Sequence, residues 1–416
     1  MRRTLPFGLL LILALIRLTS AASADEVNPP LSGLLEVAKS ETAFALELYA
    51  KLPKSPKNAI FSPASAYEVL ALAREGARGA TLSQLDRALR IRDQGGQTWA
   101  QKTSLLNQYL KNKGGAGPAN QTVTLGLVSS LWPRQDLRLL PGYLKALGPA
   151  PPIFPLDYLH DGSGALMRIN EWVAAQTKGE ISQILTSPPG INWALIFVNA
   201  AYFLGEWAKP FSPLANTTGP FKTASAKDPL QIVYLNQTDK FGYLSIPEAQ
   251  ILELPYANKS FSLLILLPAD SPEGLNNLET RLNFFNLENF RQNLKPTLVK
   301  VQLPRFRVDW NGSLVEPLKK LGLGGPFGPQ ADFSRLALAP NLRANELFHQ
   351  AFFTVNEAGS QAASTAATTL ATTTDGPTPV ATFEANRPFI FLLQEKTTGA
   401  ILLLGRLNQP AAIAED

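Results

Sequence analysis

The chain lacks cysteine altogether and contains only two histidines, His160 and His349. Without thiols it can form no disulfide framework, no cysteine nucleophile and no thiolate metal site. Two histidines leave little room for a histidine-rich metal cluster, so we expect neither a metal nor a cofactor. Charged residues are also scarce, at 17%, and the formal net charge is only +5. Such a weak charge argues against nucleic acid as a partner.

Motifs of common enzyme classes are missing as well. The sequence has no Gly-x-Ser-x-Gly nucleophile elbow, no His-Glu-x-x-His and no Gly-x-x-x-x-Gly-Lys-Ser/Thr loop, and we do not expect an enzyme. Hydrophobic residues, by contrast, make up 45% of the 416 residues. This composition supports a large buried core and excludes a wholly disordered chain.

The first residues have the pattern of a secretory leader. Two arginines follow Met1, an apolar run covers residues 7–16, and a triplet of small residues ends at Ala24. This order predicts a signal peptide over residues 1–24, and hence a secreted protein, or a periplasmic one in a bacterium. The run has about half the length that a helix needs to cross a bilayer. An uncleaved anchor is therefore the less favoured alternative, and no membrane association is expected after cleavage.

Residues 25–416 are predicted to form a single α+β domain. Ser62-Pro63 predicts the capped start of a helix over 64–74, and Thr81 to Gln84 has the spacing of a capping box at the start of another. After about residue 190, near-continuous apolar runs predict buried strands that do not alternate regularly with helices. Further helices are predicted at 43–50 and 169–176, a loop at 114–117, and strands at 58–61, 122–131, 193–203, 251–256, 261–267, 299–303, 389–393 and 400–404.

The most unusual segment covers residues 358–374 and consists almost entirely of Ala, Thr and Ser, without charge, proline or aromatic residues. A flexible linker is one interpretation, although such linkers usually contain charge or proline. The alternative is a loop that can become a strand, because Thr favours strands and alternate residues share one face. All members of that face would be small: Ser360, Ala362, Ser364, Ala366 and Thr368.

Several motifs then give the sequence a resemblance to the serpin family over essentially the whole chain after the leader. The motifs follow the family's order at residues 58–65, 77–81, 199–211, 303–306, 331–334, 357–365, 383–389 and 405–410. His349 stands eight residues before Glu357, as the family's histidine does. Val233-Tyr234-Leu235 and Ala358 depart from the family's pattern. The resemblance implies a helix-rich amino-terminal part packed on large mixed β-sheets, with an exposed reactive-centre loop at about residues 357–382.

The resemblance also implies a mechanism, namely suicide inhibition of a serine protease or, in some members, a cysteine protease. The loop is cut, the protease stays attached as a covalent acyl complex, and the hinge of the loop inserts as a new central strand. The implied hinge residues are Glu357, Gly359, Ser360, Ala362, Ala363, Ser364 and Ala366. The implied sheet-opening residues are Ser62, Ser65, Asn199, Trp207 and His349. The inhibitor is expected to be a monomer.

Two registers remain open for the bond that the protease cuts. Counting forward from Glu357 gives Thr373–Thr374, and counting back from Pro388 gives Thr374–Asp375. A small uncharged Thr favours an elastase-like or broad-specificity target over a trypsin-like one. A non-inhibitory binding protein or chaperone with the serpin fold is the alternative function. Such relatives often have bulky, charged or proline residues in the hinge, and this chain does not.

Overall fold

The computed structural model describes residues 31–54, 56–92, 96–116, 122–223, 228–360 and 380–411. Within these ranges the helices are α1 (Leu31–Tyr49), α2 (Pro63–Gly76), α3 (Gly79–Ala88), α4 (Trp99–Asn112), α5 (Pro141–Leu147), α6 (Gly162–Gln176), α7 (Gly274–Arg281), α8 (Phe284–Asn293) and α9 (Val315–Lys320). The strands are β1 (Ala59–Phe61), β2 (Gly115–Ala116), β3 (Thr122–Pro133), β4 (Leu195–Glu206), β5 (Thr217–Phe221), β6 (Leu230–Ile246), β7 (Ala249–Pro255), β8 (Phe261–Pro268), β9 (Lys295–Pro304), β10 (Phe306–Ser313), β11 (Glu346–Val355), β12 (Gly359–Ser360), β13 (Ala381–Glu384), β14 (Phe389–Glu395) and β15 (Ile401–Leu407). This arrangement confirms the predicted α+β class.

The described strands form two sheets. A nine-stranded sheet has the order β1-β15-β14-β8-β7-β6-β9-β13, with β5 paired to β6. A six-stranded sheet has the order β10-β11-β4-β3-β2, with the short β12 also paired to β4. The pairing of β11 with β4 is parallel, whereas β10–β11, β3–β4 and β12–β4 are antiparallel. The six-stranded sheet contains most of the predicted site residues.

Strand β4 is covered on both faces, which explains its near-continuous apolar sequence. Leu195, Phe197 and Phe203 belong to the main core, together with α2 and the nine-stranded sheet. The alternate residues, Ile196 and Val198 among them, belong to a second core under α6. Because side chains alternate along a strand, odd-numbered residues of β4, including Asn199, face the main core.

The predicted start of α2 is confirmed, whereas the predicted start of the next helix is wrong. Ser62 accepts a hydrogen bond from the backbone N–H of Ser65 at 3.3 Å, and Pro63 is the first helical residue. Helix α3 instead begins at Gly79, two residues before Thr81, and the Thr81 hydroxyl accepts from the backbone N–H of a distant loop residue at 2.9 Å. The Thr81 side chain therefore makes a tertiary hydrogen bond instead of capping the helix.

Other differences concern short or polar strands. The predicted loop at 114–117 contains β2, which pairs with the start of β3. Residues 381 and 382, predicted as the end of the reactive loop, begin β13. The long strand β6 was not predicted, since polar residues at 236–240 interrupt its apolar pattern. Among the described residues, no helix has both the length and the apolarity needed to cross a membrane.

Candidate functional site

Four of the predicted sheet-opening residues lie together at the centre of the six-stranded sheet. His349 on β11 is directly across from Asn199 on β4 in the parallel register. Ser62 and Ser65 approach from the amino-terminal end of α2, which packs against this sheet. All four residues are fully buried. We call Ser62, Ser65, Asn199 and His349 the latch, and the parallel contact between β4 and β11 the seam.

The imidazole of His349 links both strands of the seam to α2. Its Nε2 accepts a hydrogen bond from the backbone N–H of Ser62 at 3.0 Å, and its Nδ1 contacts the side-chain oxygen of Asn199. Because Nε2 accepts, the ring proton is assigned to Nδ1, which donates to Asn199. Ser129 on β3 donates to the carbonyl oxygen of Ser65 at 3.2 Å. The latch thus connects β3, β4, β11 and α2.

The latch needs a neutral histidine. Burial lowers the pKa of His349 to about 3, because a charged imidazolium would lose its hydration in the core. Protonation would also put an N–H group on Nε2, facing the N–H of Ser62, so that two donors would meet. Acid therefore weakens the contact between α2 and the seam.

Beyond the latch, towards the carboxyl end of β4, the start of the hinge is already hydrogen-bonded into the six-stranded sheet. The seam pairs residues 346–351 with 196–201. Beyond it, β12 pairs antiparallel with the last residues of β4, Gly359 opposite Glu206 and Ser360 opposite Gly205. From Asn199 to Gly205 a strand advances about 20 Å. The hinge and the latch therefore occupy separate positions along β4.

Ser360 is held by buried aromatic side chains. It is fully buried, and its hydroxyl lies 2.6 Å from the hydroxyl of Tyr256. The ring of Tyr256 stacks on Trp207 at a centroid distance of 4.6 Å. The indole N–H of Trp207 donates to the carbonyl of Asn356, and its backbone N–H donates to that of Ala358, both at 2.9 Å. Trp207 thus contacts the hinge and not the latch.

Glycine is required where the hinge meets β4. A Cβ atom on Gly359 would lie 2.0 Å from the carbonyl oxygen of Gly205 and 2.7 Å from the Cα of Glu206. A Cβ atom on Gly205 would lie 2.7 Å from the ring of Phe203. The close approach of β12 to β4 therefore depends on the glycine at 359, whereas the glycine at 205 leaves room for the neighbouring aromatic rings.

Glu357 anchors the base of the hinge. Its carboxylate accepts a hydrogen bond from the side-chain amide of Asn216 at 2.6 Å and lies 3.8 Å from the guanidinium of Arg305. Its carbonyl oxygen accepts from the backbone N–H of Phe211 at 2.8 Å. The hinge thus leaves β11 through a segment fixed by side-chain and backbone contacts.

The other predicted loop residues lie outside the described residues. These are Ala362, Ala363, Ser364, Ala366, Thr373 and Thr374, as well as the whole predicted leader. Of the hinge, Glu357, Gly359 and Ser360 are described, and they lie together at the carboxyl end of β4.

Sequence reasoning missed the residues that receive the hinge. Tyr256, Asn356 and Asn216 contact it, and Asn356 accepts hydrogen bonds from the backbone N–H groups of Ala358 and Gly359, both at 3.0 Å. Asn356 lies directly before the predicted hinge, so its position was a usable signal. Tyr256 and Asn216 are more than 100 residues away along the chain, and nothing in their local sequence indicates the contact.

Replacing the latch histidine should change how stability depends on pH. The folded-state pKa of His349 is about 3, below its unfolded value of about 6.5. Its contribution to stability is therefore complete above pH 6.5 and is lost as the pH falls towards 3. Between pH 7 and pH 5 the free energy of unfolding of the wild type should fall by about 2 kcal/mol more than that of His349→Gln. Thermal unfolding followed by circular dichroism at both pH values measures the difference.

His160→Gln is the matched control, because His160 is the other histidine and its side chain is 80% exposed. That variant should keep the wild-type pH dependence. An identical acid sensitivity in the wild type and in His349→Gln would contradict the proposed neutral latch.

Comparison with known proteins agrees with this geometry. The family model described as "Serpin (serine protease inhibitor)" matches residues 39–410. The leukocyte elastase inhibitor of Sus scrofa is 33% identical, over 90% of this chain and 100% of its own length. Iripin-8 of Ixodes ricinus is 28% identical, over 94% of this chain and 97% of its own. The crystal structure of tengpin, a thermophilic serpin in the native state, superposes with a TM-score of 0.78 at 26% identity, covering 90% of this chain and 94% of that one. The predicted fold is thereby confirmed, and the chain belongs to the serpin family.

Proposed function

We propose that this protein is a suicide inhibitor of serine proteases that traps its target by inserting the hinge between β4 and β11. One observation carries the proposal: Gly359 and Ser360 are already paired with β4, next to the seam, where β4 and β11 pair in parallel. The protease serine oxygen attacks the carbonyl carbon of the reactive bond and forms an ester. The peptide bond breaks, and the new amine takes up the proton. Insertion then proceeds before water can cleave the ester.

The existing register determines how the hinge would continue. Since Ser360 lies opposite Gly205, an extended antiparallel pairing places Ala362 opposite Phe203, Ala366 opposite Asn199 and Leu370 opposite Leu195. Opposed residues share a face, so the even-numbered residues, which are small from Ser360 to Thr368, would enter the main core. No charge would be buried on either face, which removes the largest cost of insertion.

Insertion also improves the pairing of the sheet. The inserted strand would run antiparallel to β4, and therefore also antiparallel to β11. One parallel seam would be replaced by two antiparallel ones, which are slightly more stable per residue. About ten new backbone hydrogen bonds, at roughly 0.5–1.5 kcal/mol each, supply on the order of 10 kcal/mol. The native state is then kinetically trapped.

The latch would control when the seam opens. Insertion as far as Ala366 brings the new strand between Asn199 and His349, so the hydrogen bond between them must break. Before cleavage the loop continues into β13, which is paired with β9, so full insertion would require β13 to leave the nine-stranded sheet. Cleavage releases one end, and the gain in pairing then exceeds the cost of opening the latch.

The reactive bond proposed for the target is Thr373–Thr374, with Thr374–Asp375 as the other register. A small, neutral Thr fits a shallow protease pocket and offers no cation to a trypsin-like one. Relatives of this chain that are called leukocyte elastase inhibitors support the same target class. The proposed partner is therefore an elastase-like or broad-specificity serine protease, bound to a monomeric inhibitor.

Mixing the purified protein with a protease panel tests the proposed target. An elastase-like enzyme and a subtilisin-like enzyme should form a complex that survives boiling in denaturant, because the link is an ester. Trypsin should form little or none. Sequencing the released fragment should give a new amino terminus at Thr374 or Asp375. Cleavage without any stable complex, and without a rise in the melting temperature of the cut protein, would favour the non-inhibitory alternative.

The hinge itself can be tested by substitution at Ser360. Ser360→Arg would place a charge at a fully buried position of the sheet, which costs several kcal/mol. We expect it to turn the inhibitor into a substrate, with at least a tenfold increase in the molar ratio needed to inhibit the protease. Ser360→Ala, the small control, should keep a ratio near that of the wild type. Full stoichiometric inhibition by Ser360→Arg would disprove the hinge assignment.

We also propose that the protein is exported, because of the sequence pattern of residues 1–24. The basic start, the apolar run and the small residues at Ala24 support removal of this segment. The protein recovered outside the cytoplasm of its host should begin at Asp25 when sequenced from its amino terminus. Recovery of a chain that still begins at Met1 would reject cleavage at this position.

A further inference from the structure

A cavity lies beside the base of the hinge and has no role in the mechanism above. It has a volume of about 310 Å³, which is within the range of small-molecule sites. Its walls come from β6, from the junction of β9 and β10, from the end of β11 and from the residues after β15. The lining residues are Val233, Arg305, Phe306, Arg307, Thr354, Val355 and Ala411.

Among the residues that the structure describes, the walls of this cavity are mainly apolar, and the charged residues that line it are two arginines. Phe306 and Val355 are buried side chains of the main core. The guanidinium of Arg307 is already neutralised by Asp309, with hydrogen bonds of 2.7 to 3.0 Å, and lies over the ring of Phe352. The other cation, Arg305, has an acid nearby but no hydrogen bond to it. Such a cation beside apolar walls favours a ligand with a single negative charge and an apolar body.

Arg305 supplies that cation. Its side chain is about half exposed, at 49%, and its nearest acid in the described chain is Glu357, at 3.8 Å. That distance is too long for a hydrogen bond. The planar guanidinium therefore keeps donors for a carboxylate, which it can bind with two parallel hydrogen bonds.

We propose that this cavity binds a small free carboxylate with an aromatic or branched aliphatic body, and that its occupancy loosens the hinge. The carboxylate competes with Glu357 for Arg305. Glu357 would then keep its hydrogen bond from Asn216 but lose its neighbouring cation. The binding site stands on its own geometry, whereas the effect on the hinge rests on the proposed inhibitory function.

The first test measures binding of 2-naphthoate by isothermal titration calorimetry, with the neutral 2-naphthamide as the matched ligand. The full-length protein should bind naphthoate at one site and the amide at least tenfold more weakly. Arg305→Gln, which removes the cation, and Val233→Trp, which fills the cavity, should each weaken naphthoate binding at least tenfold. Arg335→Gln, at an exposed arginine elsewhere, should bind as the wild type does. Circular dichroism melting confirms that each variant is folded.

Several results would overturn the site. These are equal binding of naphthoate and naphthamide, or naphthoate binding that is unchanged in both cavity variants. A third result would be that the full chain does not bind naphthoate, whereas a variant that ends at Ala411 does. The occupant of the cavity would then be residues 412–416 and not a free ligand.

The second test measures the rate of protease inhibition with and without saturating naphthoate. The rate constant should rise about two- to fivefold, the effect of losing a half-exposed ion pair. Arg305→Gln should show the higher rate without ligand and no further response. Binding without any change in rate would overturn the coupling to the hinge. Failure of inhibition in every sample would reject the proposed function and leave the calorimetric result intact.

Discussion

The parallel contact between β4 and β11 is the constraint on which the rest of the molecule depends. These strands are neighbours in the sheet, yet His349 and Asn199 are 150 residues apart in sequence. Their pairing is held by six residue pairs and by a buried latch anchored on α2. A parallel pair is slightly less favourable than an antiparallel one. The seam is closed in the native protein. In the proposed mechanism, an added strand that is antiparallel to both β4 and β11 would release free energy by replacing this parallel pairing.

The hinge is fixed at three successive levels before any cleavage. Glu357 is held by Asn216, Gly359 fits against the backbone of β4 because it has no Cβ atom, and the Ser360 hydroxyl is hydrogen-bonded to Tyr256. These contacts define one register along β4. In the proposed mechanism, the inserted strand would need no search for alignment, because the pairing of Gly359 and Ser360 with β4 would determine the partner of each later residue.

Local sequence predicted some of the helices and strands correctly and missed others. The apolar run that becomes β4 is readable, because burial on both faces leaves no polar alternation. The cap at Ser62 is readable, because its partner lies only three residues away. The helix start predicted at Thr81 was wrong, because the Thr81 hydroxyl accepts a hydrogen bond from a loop residue 251 positions away in the sequence. Strand β6 was missed because half-exposed polar residues occupy its middle.

The sequence by itself determined that residues 358–374 are uncharged and, apart from Gln361 and Leu370, small, and therefore able to enter a packed sheet without burying charge. It also determined the order of the family motifs. Only the tertiary structure decided that His349 accepts from Ser62, that Tyr256 receives Ser360, and that Arg305 stands between Glu357 and an apolar cavity. Periodicity indicates which face a side chain occupies. It cannot indicate which distant side chain it meets, because that depends on the path of the whole chain.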